Sequence, residues 1–337
     1  MTFVVCGEAL IDLVPQPGTG ATTFQSGWQA QSAGSPMNTA IALARLGCPV
    51  QFRGRISTDG LGSQIAAHLQ ANELPAEALV RTDDPTSLAV VSLDDQGRAN
   101  YTFHFARTAN FGWDRAELPE LHPQDWLHLG SLALVVDPSW EVLLGWAASQ
   151  QGPISIDVNV RPGVLPDPAD YWPRTKAWLE VVGTRGGVVK ASDEDIAFLL
   201  DSQRLAAGDG ERGDGEPASD AAPANPIQVA QGWVRDFGLS LAVITFGADG
   251  AVAVRPGGEV VSVPGHRVDV VDTIGAGDTF MAAFLAAHGA DAAQGADRDD
   301  VAGALTWAVA SSALVCTRSG AQPPTRGEVE SYLAGAE

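Results

Sequence analysis

Short β-branched runs alternate along the chain with alanine- and leucine-rich stretches. "TFVVCG", "ISIDVNV", "GGVVKAS" and "LAVITFG" carry apolar residues at nearly consecutive positions, the pattern of strands buried on both faces of a parallel sheet. "MNTAIALARLG", "GSQIAAHLQAN", "IQVAQGWVRDFG" and "ALTWAVASSALV" predict helices, two of them closing on a glycine. Strands alternating with helices predict a three-layer αβα domain around a mostly parallel central sheet. One stretch departs from that rhythm. "SLAVVSLDDQGRANYTFHF" reads as two strands about a polar, glycine-containing turn, a hairpin and not a crossover. It fits a lid over a cleft at the strand ends and fits equally an edge extension of the main sheet. From 203 to 225 the chain is rich in Gly, Ala, Pro and acidic residues, which predicts an exposed, mobile insertion without a core of its own.

Composition narrows the class of partner. Apolar residues make up 45% and charged residues 18%, as in a well-packed globular protein. The 41 acidic against 20 basic residues give a formal charge of −21, which repels nucleic-acid phosphates and anionic membranes, so neither is an expected partner. Cys6, Cys48 and Cys316 form no CxxC spacing and are expected as reduced thiols. "MTFVVCGEALIDL" lacks the basic start of a signal peptide, and "ALTWAVASSALVC" falls short of the ~20 residues that span a bilayer. A soluble, cytoplasmic protein is the expectation.

Candidate chemistry concentrates in "DTIGAGDTFMAAFLAAH", from Asp272 to His288. The backbone amides of Ala276, Gly277 and Asp278 would be unpaired donors in the first turn of a helix. Small residues there let an anion approach closely, and the helix dipole favours negative charge. Such a turn could stabilise the equatorial oxygens of a phosphoryl group in transfer, with Asp278 in reach of the attacking hydroxyl as general base. A capping Asp behind a flexible turn is the plainer alternative; Asp278 is expected to do both.

The longer string "DTIGAGDTFMAAF" resembles the C-terminal signature of the ribokinase-like carbohydrate kinases of phosphofructokinase-B type, through Asp272, Thr273, Gly275 to Asp278, Ala282 and Ala283. "AGSPMNTAIALARLG" is similar to the family's N-terminal glycine run, and "GEALIDLVP" to its opening strand. The resemblance implies a ribokinase-like fold with a small β-strand lid. It implies that Asp278 is the catalytic base, that Gly275, Ala276 and Gly277 build the anion hole with it, and that Asp12, Gly34 and Asn38 hold sugar hydroxyls. Further similarities follow in family order: "GRISTDGLG", with Asp59 and Gly62, then "KASDEDIAFLL", "ITFGADGAVAV" and "CTRSGAQPP". They assign Lys190, Ser192, Thr245, Gly247, Gly250 and Gly320 to ATP, Asp195 to water-mediated Mg2+, and Asp272 to a K+ site.

"SIDVNVRPGV" and "WLHLGSLAL" are similar to the fructokinase branch of that family. They bring in Arg161 as a partner for phosphate or an anionic substrate group, and Gly130 and Ser131 under the sugar. Ala33, Ser57, Asp195 and Val309 depart from the family's usual Gly, Gly, Glu and Asn. Phe105, assigned to the substrate, stands where relatives in this branch often carry Arg, which favours a neutral sugar. The resemblance thus implies an ATP-dependent sugar kinase, first a fructokinase, with 2-keto-3-deoxygluconate kinase, ribokinase and nucleoside kinase as alternatives. A catalytically idle sugar- or nucleotide-binding relative is the alternative of a different class. An NAD enzyme would need GxGxxG after the first strand, which "CGEALIDL" does not supply. One domain over 1–337 is expected, with lid segments near 13–32 and 86–112, the insertion at 203–225, and homodimer contacts through the lid.

Overall fold

The computed structural model describes residues 1–16, 24–93, 99–208, 225–291 and 300–335. The chain opens with β1 (Phe3–Cys6), β2 (Leu10–Pro15) and β3 (Trp28–Ala33), followed by α1 (Ser35–Arg45), β4 (Val50–Arg53), β5 (Arg55–Ser57) and α2 (Gly60–Ala71). Next come β6 (Val80–Thr82), β7 (Leu88–Leu93), β8 (Ala99–His104), β9 (Trp126–Gly130), α3 (Ser139–Ser149), β10 (Ile154–Asp157) and α4 (Tyr171–Gly183). The C-terminal part supplies β11 (Val188–Ser192), α5 (Asp193–Ala206), α6 (Pro226–Phe237), β12 (Leu241–Thr245), β13 (Gly250–Val254) and β14 (Val260–Pro264). It closes with α7 (Ala276–Leu285), α8 (Val301–Cys316) and α9 (Arg326–Ala334).

Eight strands form the main sheet in the order β14-β13-β12-β11-β10-β9-β1-β4, parallel from β12 through β4 and antiparallel at β12–β13–β14. Side chains alternate across it and feed two cores. Val4, Cys6, Ile154, Ile156 and Ile244 pack under Trp146, Trp178, Leu199 and Trp233 of α3 to α6. Phe3, Val5, Val188 and Val243 pack under Met37, Ile41, Phe284 and Leu305 of α1, α7 and α8. This is the expected three-layer αβα arrangement. Fully burying one large apolar side chain contributes roughly 1.5–3 kcal/mol, so the two cores supply the main driving force.

The hairpin β7–β8 does not extend the main sheet. It joins β2 and β3 in a separate four-stranded sheet of order β3-β2-β7-β8, with β2 and β7 parallel (Ile11 opposite Leu88). "ISIDVNV" leaves the sheet earlier than its apolar pattern predicts: β10 stops at Asp157, and Asn159 has φ of 39°. A left-handed residue cannot continue a strand, so the chain turns out of the sheet here. Of the stretch read as an insertion, residues 203–206 complete α5 and residue 225 caps α6, while 209–224 lie outside the described residues. Residues 17–23, within one expected lid segment, also lie outside them.

Candidate active site

The turn ahead of α7 begins with Gly275, which forms the N-cap in the left-handed conformation at φ 77° and makes no side-chain cap bond. A Cβ on it would stand 2.7 Å from Cβ of Ala321. Both the backbone angle and the close approach therefore call for glycine. Ala276 N–H donates to Thr273 O at 3.2 Å and Thr279 N–H to Gly275 O at 2.8 Å. The amides of Gly277 and Asp278 find no acceptor among the described residues, which leaves two first-turn donors free for an anion.

Asp278 does not cap its helix, contrary to expectation. Its carboxylate crosses to α1, where Ser35 Oγ donates to Oδ1 at 2.7 Å and Asn38 Nδ2 to Oδ2 at 2.9 Å. Asn38, 240 residues earlier, is likewise no cap: its backbone N–H bonds to Gly34 O inside the first turn and its side chain is free for this work. Burial pushes the Asp278 carboxyl above its ordinary range, while the bonds from Ser35 and Asn38 and the charges of Arg161 and Lys190 pull it down. A buried carboxylate poised between these influences is the setting a general base needs.

Residues 157–161, which leave the sheet, are fixed on each side. Val158 N–H donates to Lys190 O at 2.9 Å, and Val160 N–H to Asp195 Oδ1 at 2.7 Å. Arg161 meets the Tyr171 hydroxyl through both N–H (3.2 Å) and C=O (2.8 Å). Asn159 Nδ2, held between these anchors, donates to Ser35 Oγ at 2.9 Å, and Asn159 Oδ1 accepts from Arg161 at 2.6 Å. Asp195 completes a capping box with Ser192: Ser192 N–H donates to its Oδ2 at 2.7 Å and Asp195 N–H to Ser192 Oγ at 3.0 Å.

Beneath the α7 turn, Lys190 Nζ lies 2.8 Å from both oxygens of Asp157, the two side chains almost fully buried. A Cβ on Gly277 would be 3.3 Å from that ammonium, so a buried cation underlies the bare amides. Burial raises the Asp157 carboxyl to about 6 against the opposing pull of Lys190.

Of the residues expected at the sugar, Asn38 bonds Asp278 directly. Asp12 lies in the middle of β2, opposite Gln31 and Ala89, in a strand and not a turn. Burial raises its carboxyl to about 6, with Arg161 opposing. Gly34 has φ of 135°, and a Cβ there would strike the Glu8 carbonyl at 2.4 Å. Glu8 itself is buried and pushed up to about 8, first by burial, and its Oε2 accepts from Ala133 N–H at 3.2 Å. Burial, with the charges of Asp12 and Asp272, raises the phenol of Tyr101 in β8.

A cavity of about 680 Å³ is lined by Thr245, Gly247, Gly250, Ala276 and Gly277, with Phe280, Val309 and Ala313 as an apolar wall. Three of the residues assigned to nucleotide from sequence, Thr245, Gly247 and Gly250, thus share one space with Gly277, while Lys190 lies under the turn outside that lining. Four more assignments fall elsewhere. Ser192 caps α5, Asp195 accepts from the backbone N–H groups of Val160 and Ser192, and Gly320 lies outside the cavity lining and donates to Asp272 Oδ2 at 2.8 Å. Phe105 packs between the tilted rings of Phe103 and Phe111 (centroids 5.0 and 4.9 Å) against the core.

The model of the pfkB family carbohydrate kinases matches residues 2–326. The chain belongs to that family. A fructokinase of Rhizobium leguminosarum bv. trifolii is 35% identical over 288 residues, covering 84% of this chain and 78% of its own. The solved fructokinase of Vibrio cholerae O395, bound to fructose, ADP and calcium ion, superposes with a TM-score of 0.77 at 25% identity over 98% of both chains. That of Xylella fastidiosa with bound ATP gives 0.80 at 25% identity over 99% of this chain and 98% of that one. In this pfkB family kinase, sequence reasoning passed over Ser35 and Glu8, and of the Asp-x-Asn-x-Arg pattern Asp157, Asn159 and Arg161 it gave a role to Arg161 alone. Ser35 sits inside the glycine run but reads as an ordinary helix-start residue, and Asn159 and Asp157 lie within an apolar strand pattern. Their partners are between 33 and 243 residues away, beyond any local pattern.

Proposed function

We propose that the chain is a fructokinase that transfers the γ-phosphoryl group of ATP to a hydroxyl of fructose. The observation that carries this is one buried carboxylate, Asp278, held by Ser35 and Asn38 of α1 in the helix turn whose Gly277 lines the 680 Å³ cavity. Asp278 takes the proton of the acceptor hydroxyl as its oxygen attacks the γ-phosphorus, and the P–O bond to ADP breaks. Charge on the equatorial oxygens meets the amides of Gly277 and Asp278, with Lys190 beneath. Asp12 and Asn38 orient the sugar by accepting and donating hydroxyl bonds.

Fructose as the acceptor is supported by the related fructokinases, one of them solved with fructose bound. Among the described residues no cluster of three metal-ligating side chains exists, which fits Mg2+ carried chiefly by the nucleotide's phosphates and water. Asp195 retains a lone pair on each oxygen for such a water. The Mg2+ screens the phosphates when bound. For K+, support comes from Asp272, which joins the α7 turn to the 319–322 loop through Ile274 N–H and Gly320 N–H.

The sheet β3-β2-β7-β8 acts as a lid that excludes water. Its edge strands β3 and β8 carry the exposed Trp28 and Tyr101, which supports pairing of two copies there, and light scattering tests that. No helix among the described residues is long and apolar enough to cross a membrane, which is in keeping with a cytoplasmic enzyme. ADP release measured across fructose, ribose, 2-keto-3-deoxygluconate and adenosine tests the assignment. Turnover highest on fructose supports it, and a preference for any other acceptor replaces it.

A further inference from the structure

Three hydrogen bonds run in one direction from Arg161 to the base, and a fourth reaches it from Asn38. Arg161 Nη1 donates to Asn159 Oδ1 (2.6 Å), Asn159 Nδ2 to Ser35 Oγ (2.9 Å), Ser35 Oγ to Asp278 Oδ1 (2.7 Å), and Asn38 Nδ2 closes on Oδ2 (2.9 Å). The direction is forced by chemistry. A guanidinium has donors only, so the Asn159 oxygen must face Arg161 and its NH2 must face Ser35. A hydroxyl that already accepts from that NH2 has its single proton free for Asp278. Asn159 itself adopts φ 39°, a conformation Asn tolerates better than most residues, and the bonds of Val158 to Lys190 and of Val160 to Asp195 on either side hold it there.

We infer that Asn159 is a positioning residue: oriented by Arg161, it turns the Ser35 hydroxyl proton onto Oδ1 of Asp278 and so fixes the base for the acceptor hydroxyl. The inference rests on the reading of Asp278 as that base. Ser35 is the last link of the relay. Besides Ser35 and Asn38 on α1, the charged groups around Asp278 are Glu8 after β1, Asp157 at the end of β10, Arg161 beyond it, and Lys190 on β11. Arg161 and Lys190 stabilise the carboxylate, and Glu8 and Asp157 oppose it. The relay adds to the stabilising side, since a hydrogen bond to the charged form favours it.

The test uses Ser35→Ala, Asn159→Gly and the double variant, because glycine adopts φ 39° without strain and introduces no charge. The Asp278 carboxyl is titrated by carbon NMR in the free protein labelled at aspartate, assigned by its loss in Asp278→Asn. Each single variant is expected to raise its midpoint by about one pH unit, a tenfold change in proton affinity, and the double variant to match Ser35→Ala alone. Ser35→Thr, which keeps the hydroxyl, is expected to stay near wild type, and thermal melts within a few degrees of wild type confirm that each variant is folded. The acid limb of kcat should move with the carboxyl. An unmoved midpoint in Asn159→Gly, or shifts that add in the double variant, overturns the relay. Because the titration needs neither sugar nor nucleotide, it reports on the relay even if wild type turns over no sugar, an outcome that would sink the kinase reading instead.

Discussion

Adding one methyl group at Gly275 should disable phosphoryl transfer without unfolding the protein. The residue sits at φ 77°, ψ 6°, where an L side chain costs about 1–2 kcal/mol. Its new Cβ would meet the Ala321 Cβ at 2.7 Å, against ordinary carbon contacts of about 3.5–4.0 Å, so something must retreat by roughly 1 Å. The 319–322 loop is poorly placed to yield, because Gly320 N–H is held by Asp272 at 2.8 Å and Gln322 N–H bonds to Gly320 O at 2.8 Å. The displacement therefore passes into the turn that presents the Gly277 and Asp278 amides. A misplacement of about 1 Å at a reacting centre costs on the order of 10²-fold. Gly275→Ala is expected to lower kcat by ~10–10², read as ADP release at saturating fructose and ATP, with a melting point only a few degrees down. Ala321→Gly in the same chain removes the colliding Cβ and should recover part of kcat while leaving the backbone penalty in the melt. If Gly275→Ala keeps near-normal kcat, or Ala321→Gly restores none of it, the close packing of the turn does not govern the anion site.

Lys190→Met leaves Asp157 buried without its partner, and should destabilise by about 3–5 kcal/mol in denaturant melts; Asp157→Asn added to it should recover part, and a neutral single variant would refute the pairing. Glu8, raised from 4.5 to about 8, makes the folded protein bind its proton more tightly than the unfolded chain does. Its contribution is complete below about pH 4.5 and is lost as pH rises towards 8. Glu8→Gln should therefore gain on wild type by more than ~1 kcal/mol between pH 5 and pH 9 in urea melts, and a difference independent of pH would contradict the burial of that carboxyl.

Much of this was legible in the sequence, for reasons that can be named. Strands buried on both faces leave unbroken apolar runs, so β1, β11 and β12 stand out, and "GAGD" announces a helix start with bare amides. The lid hairpin was visible, but its sheet was not: β3, "WQAQSA", has no apolar alternation, and the β2–β7 pairing joins Ile11 to Leu88 across the chain. Asp278 reads as a cap because an Asp at a helix start usually is one. Only the left-handed Gly275 at the N-cap, and the approach of Ser35 and Asn38 from α1, divert its oxygens elsewhere. Asn159 was hidden because its role depends on a positive φ, which a strand-like pattern conceals.

The central claim is that Asp278 takes the proton of a sugar hydroxyl. ADP release by wild type and Asp278→Asn, with fructose saturating and fructose binding followed separately by calorimetry, tests it most directly. The account predicts a fall in kcat of at least ~10² with fructose affinity changed by no more than a few-fold. Turnover within a factor of a few of wild type would contradict it.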